Sequence, residues 1–532
     1  MTTSRLQSIQ SRWVELLIQL VLPIAGLAAA YWLIASPILS SPYWGDDHGS
    51  SQLPMQLAAN REAFLHWWIR LNQDWSDTTG RFFPLDILRA GAIFVLFQDR
   101  AAYKVLQFLM LALSITSLGF LIGVVLRSRW AAYSAVGIAL MTIQMKSWYD
   151  PFWQFGGQQE AVNLLACCSL AFAVLAARAR PGWRAYGAAI AGVIVFCAAA
   201  LTYESSVFLV LAIPLLLVRE SVTSRRRLLI FLSYGAASVI LLANLYWQRS
   251  HAVVTHPGWQ TSFDPTLVVN TLRAQMGGAI PFSYRWNTQG SIFPEGASWP
   301  TNALLTIAIS VIFAGVMTQS LKHVFATTRR GLLLVGLAGA LYWLIPSFFV
   351  AISVRWQMEV IPGVAYIPVM AGGFAFAWLL TVVASYAGRL LRSPGCIAAP
   401  WIATSRGLTV AALIPAIAIS FTVGATASSN VVATHDPAIV IHQVRRDAYV
   451  DAIRNGLFRG VPPTAVIEHA AGAWWDWQNA PFAAWYGAPA SLRFVTPEAM
   501  SGIDCNSADC FKLVEEIPRP GVITYRLERT SS

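Results

Sequence analysis

Charge is scarce in this chain. Only 12% of its 532 residues are Asp, Glu, Lys or Arg, while 56% are hydrophobic. A soluble globular protein carries about twice that share of charge, so a wholly soluble chain is excluded and a polytopic membrane protein is expected. Cysteine is scarce too, with six residues. Cys167, Cys168 and Cys197 lie in apolar runs and Cys396 in a basic loop, where they read as small apolar side chains. Cys505 and Cys510 lie in the polar C-terminal region and are expected to form a local disulfide in an oxidising compartment. No second pair or His cluster accompanies them, which argues against a metal site there. Internal repeats and low-complexity tracts are absent as well.

What the chain does have is long apolar runs. Segments of crossing length fall near 14–36, 103–126, 130–146, 160–177, 185–203, 205–218, 228–247, 302–320, 331–350, 362–386 and 407–427, an expectation of about eleven spans. The first is too long for the core of a cleaved signal peptide and reads as a retained helix. Cations collect in alternate connections: Arg5 and Arg12; Arg127 and Arg129; Arg178, Arg180 and Arg184; Arg219 and Arg225 to Arg227; Lys322, Arg329 and Arg330; Arg389, Arg392 and Arg406. The short loops of the other set hold little beyond Lys146 and Arg355. The positive-inside rule then places the N-terminus in the cytoplasm and the C-terminal region outside, as in a bacterial inner (plasma) membrane protein with a periplasmic C-terminal domain. The net charge of +11 reflects these basic loops, so no nucleic acid is implied. The 22 tryptophans and 16 tyrosines suit interfacial belts and sugar stacking alike.

Three larger pieces lie on the outer side. The first, about 37–102, contains an amphipathic stretch from Leu53 to Trp75, expected to lie as a helix in the interface. Gly80-Arg81-Phe82-Phe83-Pro84 and a short apolar helix follow it. The second, about 248–301, holds another expected surface helix, Asp264 to Gly277, with Asp264 as N-cap and Pro265 at the first helical position. The third is the tail. It combines an amphipathic helix, Pro437 to Phe458, with strand-like runs at Thr464–Ile467, Leu492–Val495 and Val522–Leu527. The expected organisation is a transmembrane domain over 1–427 and a small outer α/β domain over 428–532.

Polar chemistry collects at one edge of the membrane. Tyr43-Trp44-Gly45-Asp46-Asp47-His48-Gly49 follows the first span directly, with two carboxylates and an imidazole where the chain meets water. Asp150 lies between the third and fourth spans, Glu204 at the junction of the fifth and sixth, and Arg355 after the ninth. Each alone is compatible with a solvated loop or an interfacial anchor. Together they set carboxylates and a cation at one depth on one face, the usual mark of function near a membrane.

That inventory suits sugar transfer from a polyprenyl phosphate. The phosphate is already a good leaving group, so no general acid is needed, unlike glycoside hydrolysis with its two carboxylates. One carboxylate must take the proton of the acceptor hydroxyl. One cation must steady the departing phosphate, and Arg does this through its fork. Asp46 is favoured over Asp47 as the base because it lies closer to the span end. Asp46 and Asp47 could instead hold a divalent cation such as Mg or Mn, although two carboxylates fall short of the oxygen ligands such an ion takes. No other cofactor is implied.

The arrangement resembles the GT-C superfamily of integral-membrane glycosyltransferases. The correspondence falls on Asp46 and Asp47 after the first span, on Asp150 in the second outer loop, and on Gly80-Arg81-Phe82-Phe83-Pro84, which is similar to a Gly-Arg-aromatic element of bacterial branches. It covers about residues 1–427. The resemblance implies a mainly α, polytopic fold of GT-C type with interfacial helices in the first outer loop and an outer C-terminal domain. It also implies a polyprenyl-phosphate-linked sugar as donor and a cell-envelope glycan or glycolipid as acceptor, within membrane lipid. Asp46 and Asp47 are the catalytic candidates; His48, Arg81, Asp150, Glu204 and Arg355 are the substrate-binding ones. Trp474-Trp475-Asp476-Trp477 has the letters of an oligosaccharyltransferase signature without its usual surroundings, which disfavours protein N-glycosylation. A lipid or sugar transporter and a membrane O-acyltransferase using Asp47-His48 are the rival readings. The first would place its polar groups near the bilayer midplane.

Overall fold

The computed structural model describes residues 17–147, 149–220, 223–253, 260–291, 303–323, 328–390, 405–468, 479–505, 509–519 and 522–530. Arg5, Arg12, Trp148, Arg392, Cys396 and the Trp474–Trp477 run lie outside the described residues.

Every apolar run read from the sequence contains helix, although 130–146 is helical only to Met141 and 362–386 only from Val369. The helices are Leu22–Ala35 (entered through a π-turn, Leu17–Val21), Arg100–Leu126, Arg129–Met141, Gln158–Arg178, Trp183–Thr202, Ala212–Val218 (preceded by a 3-10 segment, Glu204–Leu211), Ser224–His251, Ala303–His323, Arg329–Ala351, Val369–Leu390 and Ser405–Thr434. Among the described residues, eight helices are long and apolar enough to cross a membrane. Arg129–Met141 and Glu204–Val218 are shorter than the roughly 20 residues of a full crossing. Helix length therefore does not establish eleven crossings. The chain is a polytopic, mainly α-helical integral membrane protein. The last apolar helix runs to Thr434, past the boundary at 427 drawn from the sequence.

The bundle is apolar inside and out, as expected of helices with lipid on one side and protein on the other. Leu111, Ile115, Leu118, Ile122, Ile138, Leu170, Phe374 and Trp378 fill one core. Leu113, Ile190, Ile240 and Val311 stand exposed on its flanks.

The two ends of the bundle differ in chemistry. At one end arginines close over helix C-termini. Glu220 accepts from Arg127 at 2.7 Å and from Arg178 at 2.6 Å. Arg178 and Arg219 also donate to the carbonyls of Val124 and Val125, and Arg226 to that of Ala179 at 2.6 Å. Carbonyls at a helix C-terminus lack the full set of helical donors, so cations there supply further hydrogen bonds and complement the helix dipole.

The opposite end carries short helices. Leu53–Asn60 and Phe64–Thr79 replace the single helix expected over Leu53 to Trp75. The break falls at Arg61, whose left-handed backbone (φ 50°) ends the first helix, and Glu62 then pairs with Arg70 of the second at 2.8 Å. Leu65 and Ile69 of the second helix are exposed, as an interfacial helix requires. Pro84–Leu96 follows. Helix Pro265–Gly277 forms as expected, with the Asp264 carboxylate accepting from the Thr266 and Leu267 N–H groups at 2.8 and 3.0 Å.

Beyond Asp436, helix Pro437–Arg454 packs on a four-stranded sheet of order β2-β1-β3-β4. β1 (Val466–Glu468) runs parallel to both β2 (Arg493–Val495) and β3 (Cys510–Arg519). β4 (Val522–Arg529) is antiparallel to β3. The β3 strand was not expected. Lys512, Glu515 and Glu516 dilute its alternation, although Leu513 sits fully in the core. The Cys505–Cys510 disulfide is formed, with Cα atoms 5.4 Å apart. Met55, from the first outer loop, is buried in the core of this sheet domain. Arg446 donates to Ser51 at 2.9 Å and Asn479 to Gln52 at 3.1 Å, so the domain sits directly on the acidic turn.

Candidate active site

A cavity of about 700 Å³ opens at the end of the bundle away from the arginine cluster. Its walls come from the acidic turn and the segment after it, the loop around Tyr149, the junction at Tyr203 and the segment from Arg355 to Ile367. They include Asp46, Arg81, Asp86, Arg89, Tyr149, Arg355, Trp356 and Tyr366, with Trp67 and Trp75 of helix Phe64–Thr79 at its side.

The acidic turn is shaped by Gly45, whose φ of +59° and ψ of −139° suit glycine alone. Around it, Trp44 Nε1 donates to the Ser147 carbonyl at 2.8 Å, and the Tyr43 ring packs against the stacked Tyr103 and Phe94 rings. The chain then starts the short helix Asp46–Ser50, and the adjacent carboxylates diverge. Asp46 is open to water in the cavity yet ringed by protein. Burial in the cleft raises its pKa to about 6; Asp86 adds to the rise and Arg355 opposes it. Asp47 is 1% exposed. Its carboxylate accepts from the Tyr103 hydroxyl and lies 3.9 Å from Lys104 Nζ. Burial pushes its pKa up, and Lys104 with Tyr103 pulls it back.

Adjacent Asp46 and Asp47 therefore do not converge on one centre, and Asp47 has its oxygens committed inward. The pair does not fit a divalent-cation ligand set, and among the described residues no group of three acidic, His or Cys side chains clusters for one.

Arg81 is aimed by Gly80, which ends helix Phe64–Thr79 with φ +67°; a Cβ there would stand 2.9 Å from the Arg249 Cα. Arg81 grips Glu204 through Nε at 3.0 Å and Nη2 at 2.9 Å, with Phe83 and Tyr203 rings beside its guanidinium. Arg355, on helix Val354–Glu359, donates through Nε to Glu359 at 3.0 Å and lies over the Trp356 ring at 4.6 Å. Tyr149 donates to the other oxygen of Glu359 at 2.6 Å. Trp356 stacks on Tyr366 with centroids 3.6 Å apart, which gives the cavity a flat aromatic wall.

The structure brings Asp46, Asp47, Arg81 and Arg355 to the wall of this cavity, with Glu204 paired to Arg81. His48 and Asp150 do not line it. His48 turns toward Arg446 and His442 of helix Pro437–Arg454; burial, then Arg446 and His442, lower its pKa to about 3, so the ring is neutral. Asp150 is fully buried and accepts from the Lys146, Phe152 and Trp153 N–H groups at 2.6, 2.7 and 3.1 Å, holding its own loop. Sequence reading missed Asp86, Arg89, Tyr149, Glu359 and Lys104. Asp86 and Arg89 lie in Pro84–Leu96 at the spacing of a helical ion pair, 2.6 Å apart, and that spacing was a usable signal. Glu359 lies four residues after Arg355, a second usable helical spacing, whereas Tyr149 meets Glu359 and Lys104 meets Asp47 only across the fold.

Glu204→Gln leaves Arg81 without its counter-charge in a largely buried setting. The expected result is a loss of about 2–3 kcal/mol of stability, seen as a lower midpoint of thermal unfolding in detergent. An unchanged midpoint would show that the pair is not holding the Arg81 loop.

Fold and cavity together define a polytopic membrane protein with a charged, aromatic-walled site at one end of its bundle. Among solved structures, the chain is similar to ArnT from Cupriavidus metallidurans bound to undecaprenyl phosphate, at 13% identity and a TM-score of 0.42, over 95% of this chain and 97% of that one. It is also similar to the Archaeoglobus fulgidus oligosaccharyltransferase tethered to an acceptor peptide, at 14% identity and a TM-score of 0.45, over 92% of this chain and 65% of that one. The oligosaccharyltransferase AglB of that organism, in complex with an inhibitory peptide and a dolichol-phosphate, gives 13% and 0.42 over 90% and 64%. The chain thus spans just under two thirds of the archaeal proteins' length. No family model and no curated protein sequence matches it.

Proposed function

We propose that this chain is a membrane glycosyltransferase of the GT-C type. It moves a sugar from a polyprenyl-phosphate donor to a cell-envelope glycan or glycolipid, on the outer face of a bacterial inner membrane. The observation that carries the reading is one cavity holding a water-accessible Asp46 together with Arg81 and Arg355, at the bundle end opposite the arginine cluster. The positive-inside rule makes that arginine end cytoplasmic and the cavity periplasmic, along with the sheet domain.

In this reading Asp46 takes the proton of the acceptor hydroxyl as the oxygen attacks the anomeric carbon. The bond from that carbon to the phosphate oxygen breaks, and polyprenyl phosphate leaves with its electron pair. Arg81 and Arg355 face the charge that develops on the phosphate. The stacked Trp356 and Tyr366 offer a flat apolar face to a sugar ring. His48, turned away from the cavity, lends no support to acyl transfer, and an end-of-bundle cavity suits a transferase better than a transporter.

A base with a pKa near 6 makes a pH profile the direct test. Asp46 works only when unprotonated, so turnover should be flat above about pH 6 and fall about tenfold per unit below it. The assay uses the purified chain with polyprenyl-phosphate sugars and envelope glycolipids extracted from the source membranes. Asp86→Asn removes the neighbouring negative charge and should move the acid limb to lower pH. A profile without an acid limb, or no sugar leaving the lipid phosphate at any pH, rules the reading out.

A further inference from the structure

We infer that Lys104, through a buried pair with Asp47 and help from Tyr103, is a positioning residue that holds the turn presenting Asp46 to the cavity. The inference rests on the proposed reading of Asp46 as the base.

Lys104 lies near the start of helix Arg100–Leu126 and has no exposed surface. An ammonium removed from water persists only where oxygens replace the lost hydration. Here Asp47 Oδ2 stands at 3.9 Å, the Trp153 carbonyl at 3.0 Å and Gln107 Oε1 at 3.2 Å. Those oxygens come from the acidic turn, from the second outer loop and from the lysine's own helix. One cation therefore ties three segments together.

The second outer loop is itself held. Asp150 accepts from the Trp153 N–H at 3.1 Å, and Trp153 Nε1 donates to the Lys146 carbonyl at 3.1 Å. The next residue, Gln154, accepts the Asp47 N–H on its carbonyl at 3.2 Å, while its amide donates to the Ser147 carbonyl at 2.9 Å. Asp47 is thus fastened by both backbone and side chain. Tyr103 donates to the same Asp47 oxygen, and its ring stacks at 4.8 Å on Phe94, which lines the cavity.

Asp46 is one peptide bond from this anchor, after a glycine whose backbone fixes the entry to the turn. An apolar contact in place of the pair would tolerate a slip of the turn, whereas a shifted turn leaves Lys104 and Asp47 each as a lone buried charge. Asp150, fully buried beside the second outer loop's own donors, adds negative charge near the ammonium, and Arg100 adds positive charge. The ion pair thereby specifies one geometry for Asp46. A misplacement of about 1 Å costs about a hundredfold in rate.

The test compares Lys104→Met, Asp47→Asn and the double variant with Asp46→Asn, all as full chains. Transfer is measured with the same extracted donor and acceptor fractions, and folding by a single symmetric peak in size-exclusion chromatography. Each folded single variant should lose about a hundredfold in kcat, with donor KM within about threefold, because Arg81 and Arg355 still hold the phosphate. The double variant has no lone buried charge and carries the test if either single fails to fold. It should fold, lose about tenfold in kcat and keep the acid limb near pH 6, since Asp46 remains the base. Wild-type kcat in the folded double or in either folded single overturns the positioning role, and so does loss of the acid limb in the double. Wild-type transfer by Asp46→Asn instead overturns the underlying assignment of the base, so the two failures are separable.

Discussion

Asp46→Asn is expected to reach the membrane at the wild-type level, to run as a single species in detergent, and to transfer sugar about a thousandfold more slowly. Asn is nearly isosteric with Asp but cannot take a proton at any working pH. Asp46 makes few packing contacts, being open to the cavity, so the exchange separates chemistry from folding. Asp47→Asn should behave differently. It leaves Lys104 without its charge partner in a fully buried place, so reduced stability accompanies its loss of rate. Asp150→Asn and Glu204→Gln should be impaired less in rate than Asp46→Asn, because neither lines the cavity. Radiolabelled sugar passed from lipid to acceptor is the measurement. Wild-type transfer by Asp46→Asn would reduce the acidic turn to a solvated loop.

Arg355→Ala should weaken transition-state stabilisation by about 2–4 kcal/mol, read from kcat/KM. Arg355→Lys should fall between the two, since it keeps the charge and loses the planar fork. The geometry supports an active role for this cation. Glu359 takes its Nε, Tyr149 anchors Glu359 from the other side, and Trp356 supports the guanidinium face. An arginine that merely anchors the chain at the interface would tolerate both exchanges. Near wild-type kcat/KM in Arg355→Ala would remove it from the site and leave Arg81 as the phosphate ligand.

Much of the scaffold was legible because it is written in local composition. Each apolar run contains a helix, and the cap at Asp264 and the strand at Val522 formed as their residues dictated. The helix expected from Leu53 to Trp75 broke at Arg61, since a left-handed residue there lets Glu62 fold back on Arg70. Asp46 and Asp47 were adjacent candidates of nearly equal standing. No local pattern separates them, because their difference is made by Tyr103 and Lys104, which lie 56 and more residues away.

The sequence by itself determined that the chain spans a membrane, that its cations gather in alternate loops, and that carboxylates and arginines remain in the loops between. Burial of apolar length and the cost of charge in lipid are local properties, readable residue by residue. Only the tertiary structure decided which of these polar groups share a cavity. Arg81 meets Glu204 across 123 residues and Tyr149 meets Glu359 across 210. It also turned His48 and Asp150 away and put Asp47 against Lys104. Pairings of this kind are set by how loops from different helices fall together at the bundle end, and a one-dimensional pattern holds no term for that.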